Sequence, residues 1–116
     1  MADSDTTFAI LPSSAGSAAV LTVVGEVDMT TAPELLRSME LVSDQTERVV
    51  VDLSAVTFLD SSGLNALLSG RRALDGRGIG LRVVTPEDNP VRRVFEITQL
   101  TESLSVVASL PAALAS

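Results

Sequence analysis

The stretch FLDSSGLNALL, Phe58 to Leu68, continues directly from VVVDLSAVT, Val49 to Thr57, and the reading of that junction decides the fold. Upstream, RVVVDL (Arg48 to Leu53) is a continuous β-branched run, the pattern of a strand covered on both faces. Downstream, Leu64, Leu67, Leu68 and Leu74 recur at helical spacing, with Arg71, Arg72 and Asp75 on the other side. Between them lie Asp60, Ser61, Ser62 and Gly63, residue types that start helices. The junction therefore reads as a central strand, a tight turn and an amphipathic helix.

Working outward gives the same alternation. Phe8 to Leu11 and Val20 to Val24 are short apolar runs separated by PSSAGSA, whose Pro, Gly and Ser residues break regular structure, and they predict a strand pair. GEVDMTTAPELLRSMELVSD then offers Thr31 as an N-cap, Pro33 and Glu34 in the first turn, and Leu35, Leu36, Met39 and Val42 as a buried face. Beyond the second helix, DGRGIG acts as a terminator, LRVVTP as a strand, and NPVRRVFEITQL as a helix begun by Asn89 and Pro90. LSVVASL predicts a last strand and PAALAS a small closing helix. The order β-β-α-β-α-β-α-β-α implies an α/β fold with a mostly parallel, four- to five-stranded sheet and interleaved helices. One domain over residues 1–116 is expected, with residues 1–7 free to be disordered.

Composition narrows the chemistry. A chain of 116 residues folding as one domain buries roughly 65% of its unfolded surface. A net charge of -7 with only eight basic residues argues against direct nucleic-acid binding. There is no cysteine and no histidine, so disulfides, thiolates and the commonest metal ligand and general base are all missing. No cofactor is expected. The acidic start, MADSDTTFAI, lacks the basic and apolar regions of a signal peptide, and no run reaches about 18 apolar residues, which predicts a cytoplasmic protein without a membrane role.

The DSSG turn has two readings. A serine hydroxyl can simply cap the helix, an effect of about 1 kcal/mol. One cap suffices for one helix, however, and Asp60 can supply it, which leaves a hydroxyl free for display. Phosphorylation there would place a charge of about -1.5 to -2 at the positive end of a helix dipole, facing backbone N–H groups, and would act mainly on a partner docked over the turn. A serine hydrolase needs a base, yet histidine is absent and every basic residue is arginine, so no enzyme is expected. DGRGIG lacks the lysine of a phosphate loop and the dinucleotide spacing, so it reads as a helix terminator.

TVVGEVDMTTAPEL, VVVDLSAVTFLDSSGLNALL and VRRVFEITQLTESLSVVASLPAAL together resemble, in order and spacing, the anti-sigma factor antagonists of the STAS domain family, from about Phe8 to Ala115. The resemblance implies partner switching. The unmodified antagonist binds an anti-sigma factor that is also a serine kinase and so frees the sigma factor. The kinase then phosphorylates the first serine of the turn, here Ser61, and a serine phosphatase restores the binding form. By positional match Ser62 is the neighbouring non-acceptor serine, Gly63 gives the backbone room at the helix start, Asp60 flanks the phosphosite, and Asp28 lies near it. Asp28 has a second reading as an organiser of its own loop, and Arg92 and Arg93 read as a solvated helix face rather than a docking patch. Members often carry glycine where this chain has Gln99, which leaves the end of the third helix open. The free protein is expected to be a monomer. The alternative is a STAS domain acting as a fixed interaction module in a lipid-transport or stress-sensing assembly, since a fold does not by itself specify a partner.

Overall fold

Twelve residues, Arg48–Leu59, form the longest strand, and its alternation explains the layers on either side. Val49, Val51 and Leu53 join a large core containing Leu35, Met39, Leu67 and Leu74, whereas Val50 faces the other way and meets Val20, Val84 and Ala113. All four of these strand residues are fully buried, as a strand covered on both faces requires. The computed structural model describes residues 8–115; the expectation for residues 1–7 lies outside them. In chain order the elements are β1 (Ala9–Ala15), β2 (Ala18–Val27), α1 (Ala32–Glu40), β3 (Arg48–Leu59), α2 (Ser61–Asp75), β4 (Gly80–Val84), α3 (Pro90–Ile97), β5 (Val106–Val107) and α4 (Leu110–Ala115). Among the described residues the sheet has five strands in the order β1-β2-β3-β4-β5. Only the β1–β2 pair is antiparallel.

Several boundaries differ from the sequence reading. PSSA is strand rather than linker, because β1 is an edge strand whose exposed side tolerates Pro12 and the serines, and the turn is reduced to Gly16 and Ser17. Gly16 has φ 62, a conformation glycine adopts without steric cost. Gly25 to Val27 belong to β2, not to the approach to α1. β3 runs on past Leu53 to Leu59 although Ser54, Ala55, Thr57 and Phe58 are exposed, because β2 continues to pair with it through two register shifts. Conversely, the predicted last strand shrinks to two residues, since Leu104 is buried from a turn and Ser105 has φ 51.

Gln99 explains the departure noted at the end of α3. Its φ is 61, in the left-handed region. Leu100 N–H donates to Phe95 O at 2.9 Å and Gln99 N–H to Glu96 O at 3.2 Å, a Schellman closure. The position demands what glycine offers and holds a residue that resists it. Gln99→Gly is therefore expected to stabilise the protein by about 1 kcal/mol, seen as a rise in Tm of about 4 °C in a thermal melt.

Candidate functional site

β2 and β3 run parallel and pair to their last residues, Val27 opposite Leu59, with Asp60 N–H donating to Val27 O at 3.2 Å. The chain leaves both strands at the same end of the sheet. Asp28 and Asp60 are the next residues of each, so their two loops start side by side, at the carboxyl ends of strands where open α/β sheets meet ligands and partners.

At the second loop, Asp60 is extended (φ -104, ψ -170) and is the N-cap of α2. Its Oδ1 accepts from Ser62 N–H at 2.9 Å and from Gly63 N–H at 3.2 Å. Ser61 is the first residue of the helix, is exposed, and its hydroxyl has no hydrogen-bond partner among the described residues. The cap is thus filled by the aspartate and the Ser61 hydroxyl points free of it. The expected set of open N–H groups is narrowed: Asp60 already occupies those of Ser62 and Gly63, which leaves the Ser61 N–H without a partner among the described residues. Ser62 is half-buried and lines a shallow groove of about 370 Å³ between α1 and α2, together with Met29, Pro33, Leu36 and Asn65. Gly63 is buried beneath the turn, and a Cβ there would lie 2.9 Å from Leu59 Cγ and 3.0 Å from Val27 Cγ1.

The first loop is built around Asp28. Its Oδ1 accepts from Thr30 Oγ1 at 2.7 Å, Thr30 N–H at 3.0 Å and Thr31 N–H at 3.2 Å. Its carbonyl accepts from Thr31 N–H and Ala32 N–H. Thr31 occupies the expected N-cap position of α1 but makes no capping bond: its hydroxyl turns back to Glu26 O at 2.9 Å, and the first helical N–H, that of Ala32, goes to the backbone carbonyl of Asp28 at 2.8 Å instead. Asp28 therefore does organise its own loop. The Thr30 hydroxyl, followed by the Thr30 N–H, holds the Asp28 carboxyl below the usual carboxylate range against a smaller opposing effect of burial, with lesser help from the N–H and hydroxyl of Thr31. A depressed folded value means that the loop's stabilisation is present above the unfolded pKa of about 3.9 and is lost as pH falls through the lower, folded value. Carboxyl NMR titration should find the Asp28 midpoint below about 3.9, and Thr30→Val should return it towards that value.

Two further residues flank these loops and were not singled out from sequence. Met29 is 74% exposed and Phe58 47% exposed. The signal was present: a methionine set between Asp28 and two threonines in a turn has no core to enter. Arg93 is exposed as expected. Arg92 is not part of a solvated face, because its Nη1 donates to Thr85 O at 2.8 Å, its side chain is only 17% exposed, and its Nε lies 3.7 Å from a Glu96 carboxylate oxygen. It is a strut between α3 and the end of β4. Among the described residues no helix is long and apolar enough to cross a membrane.

The anti-sigma-F factor antagonist RsfB of Mycobacterium tuberculosis is 34% identical over 97 residues, covering 83% of this chain and 78% of that protein. An anti-sigma-B factor antagonist of Staphylococcus aureus is 33% identical over 85 residues, covering 72% and 78%. Among solved structures, an anti-sigma factor antagonist from Mycobacterium paratuberculosis superposes with a TM-score of 0.83 at 32% identity, covering 97% of this chain and 96% of that one. The STAS domain is matched by residues 12–113, which contain both loops and every strand pairing that holds them together. This chain belongs to the STAS domain family.

Proposed function

We propose that the protein is an anti-sigma factor antagonist controlled by phosphorylation of Ser61. In the unmodified state the face formed by the Asp28 and Asp60 loops docks on an anti-sigma factor, which releases its sigma factor. That partner is also a serine kinase. It transfers the terminal phosphoryl group of ATP to Ser61 Oγ: the new O–P bond forms as the bond to ADP breaks, and the hydroxyl proton leaves to a base on the kinase. A serine phosphatase reverses the step by hydrolysis. The chain itself contributes a displayed hydroxyl and a docking face, with the chemistry done by its partners in the cytoplasm, and it is a monomer when free.

The observation that carries the reading is the division of labour at the turn. Asp60 satisfies the helix start, so the Ser61 hydroxyl is exposed and unengaged at the first helical position. With Asp60 holding the N–H groups of Ser62 and Gly63, an added phosphate on exposed Ser61 is left on the surface a partner must cover, with the Ser61 N–H alone beside it. Names of relatives at 33% and 34% identity support the antagonist role. The test is incubation with the cognate anti-sigma factor and ATP, followed by intact-mass measurement and peptide mapping across Phe58 to Leu68. A single phosphate on Ser61, abolished in Ser61→Ala, is expected. Phosphate elsewhere, or none, overturns the reading and favours a fixed interaction module.

A further inference from the structure

β4 pairs with β3 only from Arg48 to Asp52, yet β3 continues to Leu59. From Leu53 onward the strand that delivers the switch turn therefore lacks a strand neighbour on that side. The start of α3 lies against this stretch, with Pro90, Val91 and Val94 beside Thr57 to Leu59, and the side chain of Asn89 reaches the strand's carbonyls. Asn89 Nδ2 lies 3.2 Å from Ser54 O, 3.4 Å from Val56 O and 3.5 Å from Leu53 O, so its two N–H donors are shared among three carbonyls of this edge. Its Oδ1 meanwhile accepts from Val91 N–H at 2.8 Å and caps α3. The amide has only one sensible orientation, since a flip would set its oxygen against three carbonyls and its nitrogen against an N–H. The far side of α3 is held separately by Arg92 on Thr85 O.

We propose that Asn89 is a positioning residue for the Ser61 switch: by closing the β3 edge it fixes the strand end whose last bond, Asp60 N–H to Val27 O, sets the turn. Capping α3 alone needs only an oxygen, for which Asp or Ser serves as well as Asn. The donor half of the amide is what the strand edge uses. The inference rests on the reading of Ser61 as the phosphosite, but its structural half does not.

The test uses the full chain as wild type, Asn89→Asp and Asn89→Ser. Both variants keep a capping oxygen, and both lose the amide donor. Amide hydrogen exchange at Asp60, Ser62 and Gly63 is expected to quicken by about tenfold while Phe95 in α3 stays protected, because local opening follows the bonds that were removed. In parallel, phosphorylation of Ser61 by the anti-sigma kinase is expected to lose about tenfold in kcat/KM, the size of one modest positioning contact. A merely structural role would reverse the exchange pattern, with α3 loosened and the turn unchanged, and that result overturns the proposal. Should the carboxylate of Asn89→Asp prevent folding, Asn89→Ser decides the matter alone. Absence of phosphate on wild-type Ser61 sinks the functional reading, while exchange at the turn still settles the coupling.

Discussion

Ser61→Asp is expected to weaken binding to the anti-sigma factor by about a hundredfold, or about 2.7 kcal/mol, while the fold stays intact. The argument is one of location. Ser61 is exposed at the first position of a fifteen-residue helix, so a negative charge there meets the positive end of the dipole, and its effect on the free protein is small and favourable, about 0.3–1 kcal/mol. Repulsion from Asp60 next to it offsets part of that gain. In the complex the balance changes, because the same charge must be removed from water, and Asp60 has already taken the N–H groups of Ser62 and Gly63 that would otherwise receive it. Titration calorimetry of wild type, Ser61→Asp and Ser61→Ala against the same partner measures this directly. Ser61→Ala should bind like wild type, since the hydroxyl makes no bond that alanine would forfeit. Equal affinity for wild type and Ser61→Asp would show that the turn is not in the docking face.

The strand, turn and helix from Arg48 to Asp75 were legible because three signals agree there: a β-branched run, residues suited to a helix start, and leucines at helical spacing. The family resemblance added Ser61 as the expected acceptor; what the structure supplies is the choice between Asp60 and a serine as the cap, which side-chain geometry settles in favour of Asp60. What sequence could not reveal was the pairing partner of each segment. β3 looks finished at Leu53 because most of its later residues are exposed, and it is the continued pairing with β2, through two register shifts, that carries it on to Leu59. Arg92 looked solvated for the same reason, since helical spacing gives a face but not what another element brings to it. Asn89 was identified as a helix start, yet its second set of bonds, to residues more than thirty positions earlier, is a tertiary fact.

Gly63→Val is expected to destabilise the protein by about 3 kcal/mol and Gly63→Ala by about 1–2 kcal/mol, read from urea unfolding with an unchanged m-value. A Cβ at Gly63 would fall 2.9 Å from Leu59 Cγ, 3.0 Å from Leu59 Cδ1 and 3.0 Å from Val27 Cγ1. Those atoms belong to the last residues of β3 and β2, and Leu59 Cγ and Val27 Cγ1 are bonded directly to Cβ, so they move only with the backbone or by leaving their rotamer. The start of α2 must therefore move off the sheet, and the bonds from Ser62 and Gly63 to Asp60 lengthen with it. Alanine recovers part of this through its better helix propensity, by up to about 1 kcal/mol, whereas valine adds bulk and gives back less. Gly70 supplies the control. Its Cβ would come nearer still, 2.4 Å from Met39 Cε and 2.6 Å from Met39 Sδ, but these atoms end an unbranched side chain which, though buried, can turn about its outer bonds without moving its Cβ. Gly70→Ala should thus lie within about 1 kcal/mol of wild type, the propensity gain offsetting the repacking. If the closer contact at Gly70 proved the costlier one, rigidity of the neighbour would not be what decides, and the tight seat of α2 on the ends of β2 and β3 would have to be given up as the reason for glycine at position 63.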